Sequence, residues 1–176
     1  MKTRSQKSRA CRRVVAVRVV QLRWLVVAAA LLFAGAPADA VENLKIFTVK
    51  ERFETVRDEV VDAIIKRGLV IDYTSHIGAM LARTAKDVGA SRTVYSEAQA
   101  LQFCSATLSR RTMEADPANI AFCPYVIFVY ALPDSPGITY LGYRPIASVG
   151  SAQSKAATEA VNALLDAIAR EAAGAR

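Results

Sequence analysis

YVIFVYAL, residues 125–132, is a run of eight residues without a charged side chain. Cys123-Pro124 stands before it and Pro133 closes it. An uninterrupted apolar stretch of this length, rich in β-branched and aromatic residues, reads as a strand buried on both faces in the middle of a sheet. Pro133-Asp134-Ser135-Pro136-Gly137 is turn chemistry. ITYLGY, residues 138–143, then returns as the hairpin partner.

Moving outward, the spacing predicts a helix over 105–115, ending before Asp116-Pro117 because the residue before proline avoids helical angles. Residues 92–102 are ambiguous, with a strand ending near Phe103 as the reading. A short helix over 78–88 has Ser75 as cap and Gly89 as stop. LVIDY, residues 69–73, reads as a strand. Phe53, Val56, Val60, Val61, Ile64 and Ile65 recur at helical spacing, and Gly68 ends that helix. LKIFTV, residues 44–49, alternates as a strand does. Downstream, Ala157, Ala160, Val161, Leu164, Leu165 and Ile168 form the stripe of a final helix over 154–173. Mixed helices and strands with one clear hairpin specify a single α+β domain, a small antiparallel or mixed sheet with helices packed on it.

The chain has 176 residues and a formal charge of +7. Eight of its 23 basic and one of its 16 acidic residues fall in residues 1–40, leaving 15 of each from Val41 onward. The basic excess that would suggest nucleic acid or an anionic membrane thus belongs to one segment. That segment has the order of a secretory signal: basic residues, the apolar run WLVVAAALLFA over 24–34, then Ala38-Asp39-Ala40 as a small-residue cleavage site. The run is too short to span a bilayer. The expectation is a signal peptide over 1–40, cleavage after Ala40, and one periplasmic or secreted domain over 41–176, with no membrane attachment after cleavage and no nucleic-acid partner.

No catalytic triad, metal-ligand cluster, phosphate loop or haem motif appears, so neither ordinary hydrolytic machinery nor a cofactor is expected. The chemistry left to weigh is cysteine. Cys11 departs with the signal, leaving Cys104 and Cys123. Three readings stand: a structural disulfide, two separate thiols that only pack, or a functional pair handling electrons, sulfur or a soft metal. Their spacing is not Cys-x-x-Cys. Copper(I) could take both thiolates together with Met80 or Met113. His76 is the only histidine, and a site of Cys104, Cys123 and His76 would lack a fourth zinc ligand. Glu54, Asp58 and Asp62, interleaved with Arg57 and Lys66, read as a salt-bridged solvent face. Arg110 and Arg111 read as surface residues. Tyr125, Tyr130, Tyr140 and Tyr143 crowd the hairpin and read as cross-strand packing, or as a groove or dimer surface where they face outward.

FCSATLSRRTMEADP from Phe103, IAFCPYVIFVYAL from Ile120 and ITYLGYRP from Ile138 together resemble the domain of unknown function 302 family. Cys104 takes the first cysteine position, Ala115-Asp116-Pro117 the helix end and Cys123 the second cysteine position. The resemblance covers a core of about 44–145. Ser105-Ala106 replaces the family's Asn-Pro, and Phe122-Cys123-Pro124 stands for its Leu-Pro-Cys turn, so the resemblance carries the fold more than a site. It implies a small α+β fold, often a homodimer, and no established activity. Residues and resemblance together give an exported binding or interaction module for an unknown protein or small molecule. The alternative is a periplasmic thiol protein acting through Cys104 and Cys123.

Overall fold

A computed structural model describes residues 44–175; the signal peptide expected over 1–40 lies outside the described residues. The chain runs β1 (Lys45–Val49), α1 (Phe53–Ile65), β2 (Val70–Ser75), α2 (Ile77–Thr84), β3 (Glu97–Cys104), α3 (Ala106–Ala115), a 3-10 helix (Pro117–Phe122), β4 (Tyr125–Ala131), β5 (Thr139–Tyr143) and α4 (Ala152–Ala172). The five strands form one sheet in the order β1-β5-β4-β3-β2, every neighbouring pair antiparallel. The sheet is therefore antiparallel rather than mixed, and β4 sits at its centre, as its apolar run predicts.

Burial follows the pleat. Tyr125, Ile127 and Val129 of β4, Leu101 and Phe103 of β3, and Leu141 and Tyr143 of β5 point to one face. There they meet Val56, Val60 and Ile64 of α1 and Val161, Leu165 and Ile168 of α4 in a single core. Arg67 links the two helices, its guanidinium 2.7 Å from Glu171. Gly68 takes φ +70° after α1, a left-handed angle that a side chain resists, and turns the chain into β2. Among the described residues no helix is long and apolar enough to cross a membrane.

Several sequence expectations need correction. Ser75 does not cap α2; it ends β2, and its hydroxyl accepts from Gln102 Nε2 at 2.9 Å. His76 takes the N-cap position without a side-chain bond, and α2 stops at Thr84, well before Gly89. The final helix starts earlier than its apolar stripe suggests, because Ser151 caps it by accepting from the Ser154 N–H. The short 3-10 helix is not apparent from periodicity. Asp116 caps it by accepting from the Ala118 N–H at 2.9 Å, and Pro117 opens it.

Candidate functional site

The two cysteines come together because of register. Phe103 of β3 pairs with Tyr125 of β4, so Cys104 lies beside the Cys123-Pro124 entry to β4. Three local devices hold them there. Ser105 caps α3 by accepting from the Leu108 N–H at 3.3 Å, which makes the chain leave β3 immediately after Cys104. The 3-10 helix is anchored by Asn119, whose buried Nδ2 donates to Thr112 O at 2.8 Å and to Ser154 Oγ at 3.0 Å. Phe103 and Tyr125 meet edge to face with ring centres 6.1 Å apart, locking the two strand ends.

Both cysteines are half-buried free thiols; of the three readings, the structural disulfide is not the form in which they stand. The register sets Cys104 next to Cys123 at the neighbouring strand ends. Ser109 on α3 completes the group, its Oγ 3.2 Å from Cys123 Sγ and donating to the Tyr125 hydroxyl at 3.2 Å. A serine has one proton to give. With that proton on Tyr125, the Cys123 thiol donates to Ser109, a relay from sulfur through serine to phenol.

Burial, then the adjacent Cys123 and finally the Asp72 carboxylate push the Cys104 thiol from 9.0 up to about 11, against a small opposing pull from the Tyr125 backbone. The start of α3 next to Cys104, which favours a thiolate, is outweighed. Two consequences follow. At neutral pH Cys104 is a protonated thiol and a sluggish nucleophile. A pKa two units high leaves about one hundredth of the usual thiolate, and the higher intrinsic nucleophilicity of a more basic thiolate recovers about tenfold of that. The stability consequence has a definite sign. A folded pKa above the unfolded value stabilises below pH 9.0, and that stabilisation is lost as pH rises towards about 11. Melting temperatures across this window should fall more steeply for the native protein than for Cys104→Ala; parallel curves would show that the thiol is not coupled to folding.

The remaining sequence candidates scatter. His76 lies beyond the far end of β2 from Val70, the partner of Cys104, a separation of roughly 20 Å along the strand. Met80 belongs to α2, which rests on β3 at Ala98, as far from Cys104 as the strand allows. Met113 follows Ser109 by one turn of α3. Arg57 pairs with Asp58 and Lys66 with Asp62 on an exposed face, as expected, and Arg110 pairs with Glu114. Among the described residues no three His, Cys, Asp or Glu side chains gather as a metal cluster. The tyrosines divide by parity. Tyr125 and Tyr143 face the helices, while Tyr130 and Tyr140 stack on the other face at 4.9 Å, joined by Tyr95.

Beside the thiols lies a groove that the sequence does not announce. The last pair between β4 and β5 is Phe128 with Gly142. Beyond it Arg144-Pro145 carries the chain away from β4, and proline cannot donate to a ladder. The gap, of about 710 Å³, is lined by Leu44, Phe122, Pro124, Val126, Phe128 and Ile146, with Arg144 at the lining and Leu165 of α4 within. Asn162 fixes its outer wall: its Nδ2 donates to Ile146 O and its Oδ1 accepts from the Ile146 N–H, both at 2.8 Å. Phe122, Pro124 and Tyr125 bracket Cys123, so the groove and the thiols share a wall.

The sequence profile of a family described as "Domain of unknown function DUF302" matches residues 45–172. The chain belongs to the DUF302 family. The match includes α4, which lies outside the sequence resemblance, so the DUF302 unit is the whole sheet with both of its core helices. A solved structure of an uncharacterised conserved DUF302 protein from Bacillus stearothermophilus shares the fold, with a TM-score of 0.62 at 13% identity over 74% of this chain and 98% of that one. No curated protein matches.

Proposed function

We propose that this chain is a small exported binding module whose ligand occupies the groove where β5 parts from β4. The groove itself carries the reading. Its walls are apolar, one guanidinium stands at its lining, and the Asn162 clamp holds it open without a partner. Preformed apolar concavities with few polar groups are what small-molecule sites look like. The chemistry fits an amphiphile whose apolar body lies against Val126 and Phe128 and whose anionic group meets Arg144. Export rests on the basic, apolar and small-residue order of residues 1–40.

Two dyes test this. Anilinonaphthalene sulfonate is apolar and anionic; N-phenyl-naphthylamine is apolar and neutral. Both should saturate one site per chain. Val126→Glu should abolish both, with the fold checked by circular dichroism. Arg144→Ala should weaken only the sulfonate, by roughly fivefold, the worth of about 1 kcal/mol for a partly exposed charge pair. Fluorescence that never saturates, or a Val126→Glu protein that binds as the native one does, would overturn the reading.

A second reading, a thiol protein, is favoured by a separate observation: the register that sets Cys104 beside Cys123, whose sulfur Ser109 touches. The homodimer belongs to the proposal as well. The sheet face opposite the core helices exposes Ile46 and Tyr73 at 45% and 63%, around the stacked Tyr130 and Tyr140. Sedimentation would detect the pairing, and a monomer at high micromolar concentration would exclude it.

A further inference from the structure

We propose that Cys104 and Cys123 form a two-coordinate site for a soft monovalent d10 cation, with copper(I) as the probe. The proposal rests on the thiol reading and names its ligand. Two cysteines, set at neighbouring strand ends by the Phe103–Tyr125 register, stand half-buried on a frame fixed by Ser105, Asn119 and the Phe103–Tyr125 ring pair. Thiolate sulfur selects soft ions, and the donor count selects among them. Zinc requires four protein ligands in a structural site. Here the only histidine is roughly 20 Å away along β2, and among the described residues no three His, Cys, Asp or Glu side chains gather. Two sulfurs suffice for an ion content with linear coordination.

The step balances without redox chemistry: one copper(I) ion and two thiols give a bis-thiolate complex and two protons released to solvent. Binding releases protons, so affinity should climb as the pH is raised. Ser109 touches Cys123 through its hydroxyl and orients it, so Ser109→Ala should retain the metal with altered affinity.

The experiment is an anaerobic titration of the reduced protein, residues 41–176, with copper(I) against a chromogenic copper(I) chelator. The expected result is one copper withdrawn per chain. Cys104→Ser and Cys123→Ser should each lose at least 100-fold in affinity, with unchanged circular dichroism. X-ray absorption of the native complex, which needs no variant to fold, should report two sulfur neighbours. Copper held equally by the double serine variant, or none held against the chelator, overturns the metal site. A parallel thiol count after glutathione disulfide separates the two readings. Thiols that pair reversibly but hold no copper overturn the metal site and leave the thiol reading intact. Thiols that do neither remove both.

Discussion

Adding one methyl group at Gly142 is expected to lower the stability of this domain by about 3 kcal/mol, the upper end of the usual cost of overpacking. Gly142 lies in β5 between β1 and β4, opposite Ile46 and Phe128. A Cβ placed there would run into the Lys45 carbonyl of β1 and come within 2.8 Å of the Phe128 ring. The ring can swing aside; the carbonyl belongs to a paired strand and cannot. Phe128 thus covers the glycine and fills the space that a side chain would take, an arrangement that strengthens glycine-containing strands. Gly142→Ala should lower the urea midpoint without changing the slope, and it should also weaken dye binding, because Phe128 lines the groove. Gly89→Ala is the control. Gly89 has φ +67° but open space around it, so it bears only backbone strain of roughly 1 kcal/mol. Equal losses at the two positions would refute a steric role for Gly142.

Phe103→Ala should cost about 3–5 kcal/mol, the range for emptying a fully buried aromatic site. Phe103 has no exposed surface and meets Tyr125 across the strand pair. That loss is a large share of the 5–15 kcal/mol by which domains are normally stable. Its effect reaches the thiols, since Phe103 and Tyr125 are the last registered pair before the cysteines. In the variant, alkylation of Cys104 at pH 8 should speed up as the strand end opens. Phe103→Leu should restore most of the stability and the slow alkylation. A variant that alkylates no faster than the native protein would show that the ring pair does not hold the site.

The fold was largely legible because its decisive signals are local. The apolar run of β4, the turn at Pro133 and the helical stripe from Phe53 each report their element within a dozen residues, and β4 is central as that run implies. The cysteine pair was legible only as two positions. Their meeting depends on Phe103 facing Tyr125, a register between strands separated by a helix, which periodicity does not encode. Asp116-Pro117 held the signature of a helix start that reads equally as the end of α3, so the 3-10 segment stayed hidden. The groove is a place where pairing stops, and only Arg144-Pro145 marks that in the sequence. Ser75 looked like a cap because a hydroxyl before a helix usually is one; here Gln102 across the strand pair took its oxygen instead.

The irregularity between Ile71 and Tyr73 bears on how copies of this domain can meet. β2 is an outer strand, and Val70 is 71% exposed there. A flat outer strand invites another chain to continue the ladder, the route to fibrils. The bulge at Asp72 twists this margin, so an incoming strand finds its hydrogen bonds out of step. Growth by strand addition is discouraged on that side, at high concentration as much as at low.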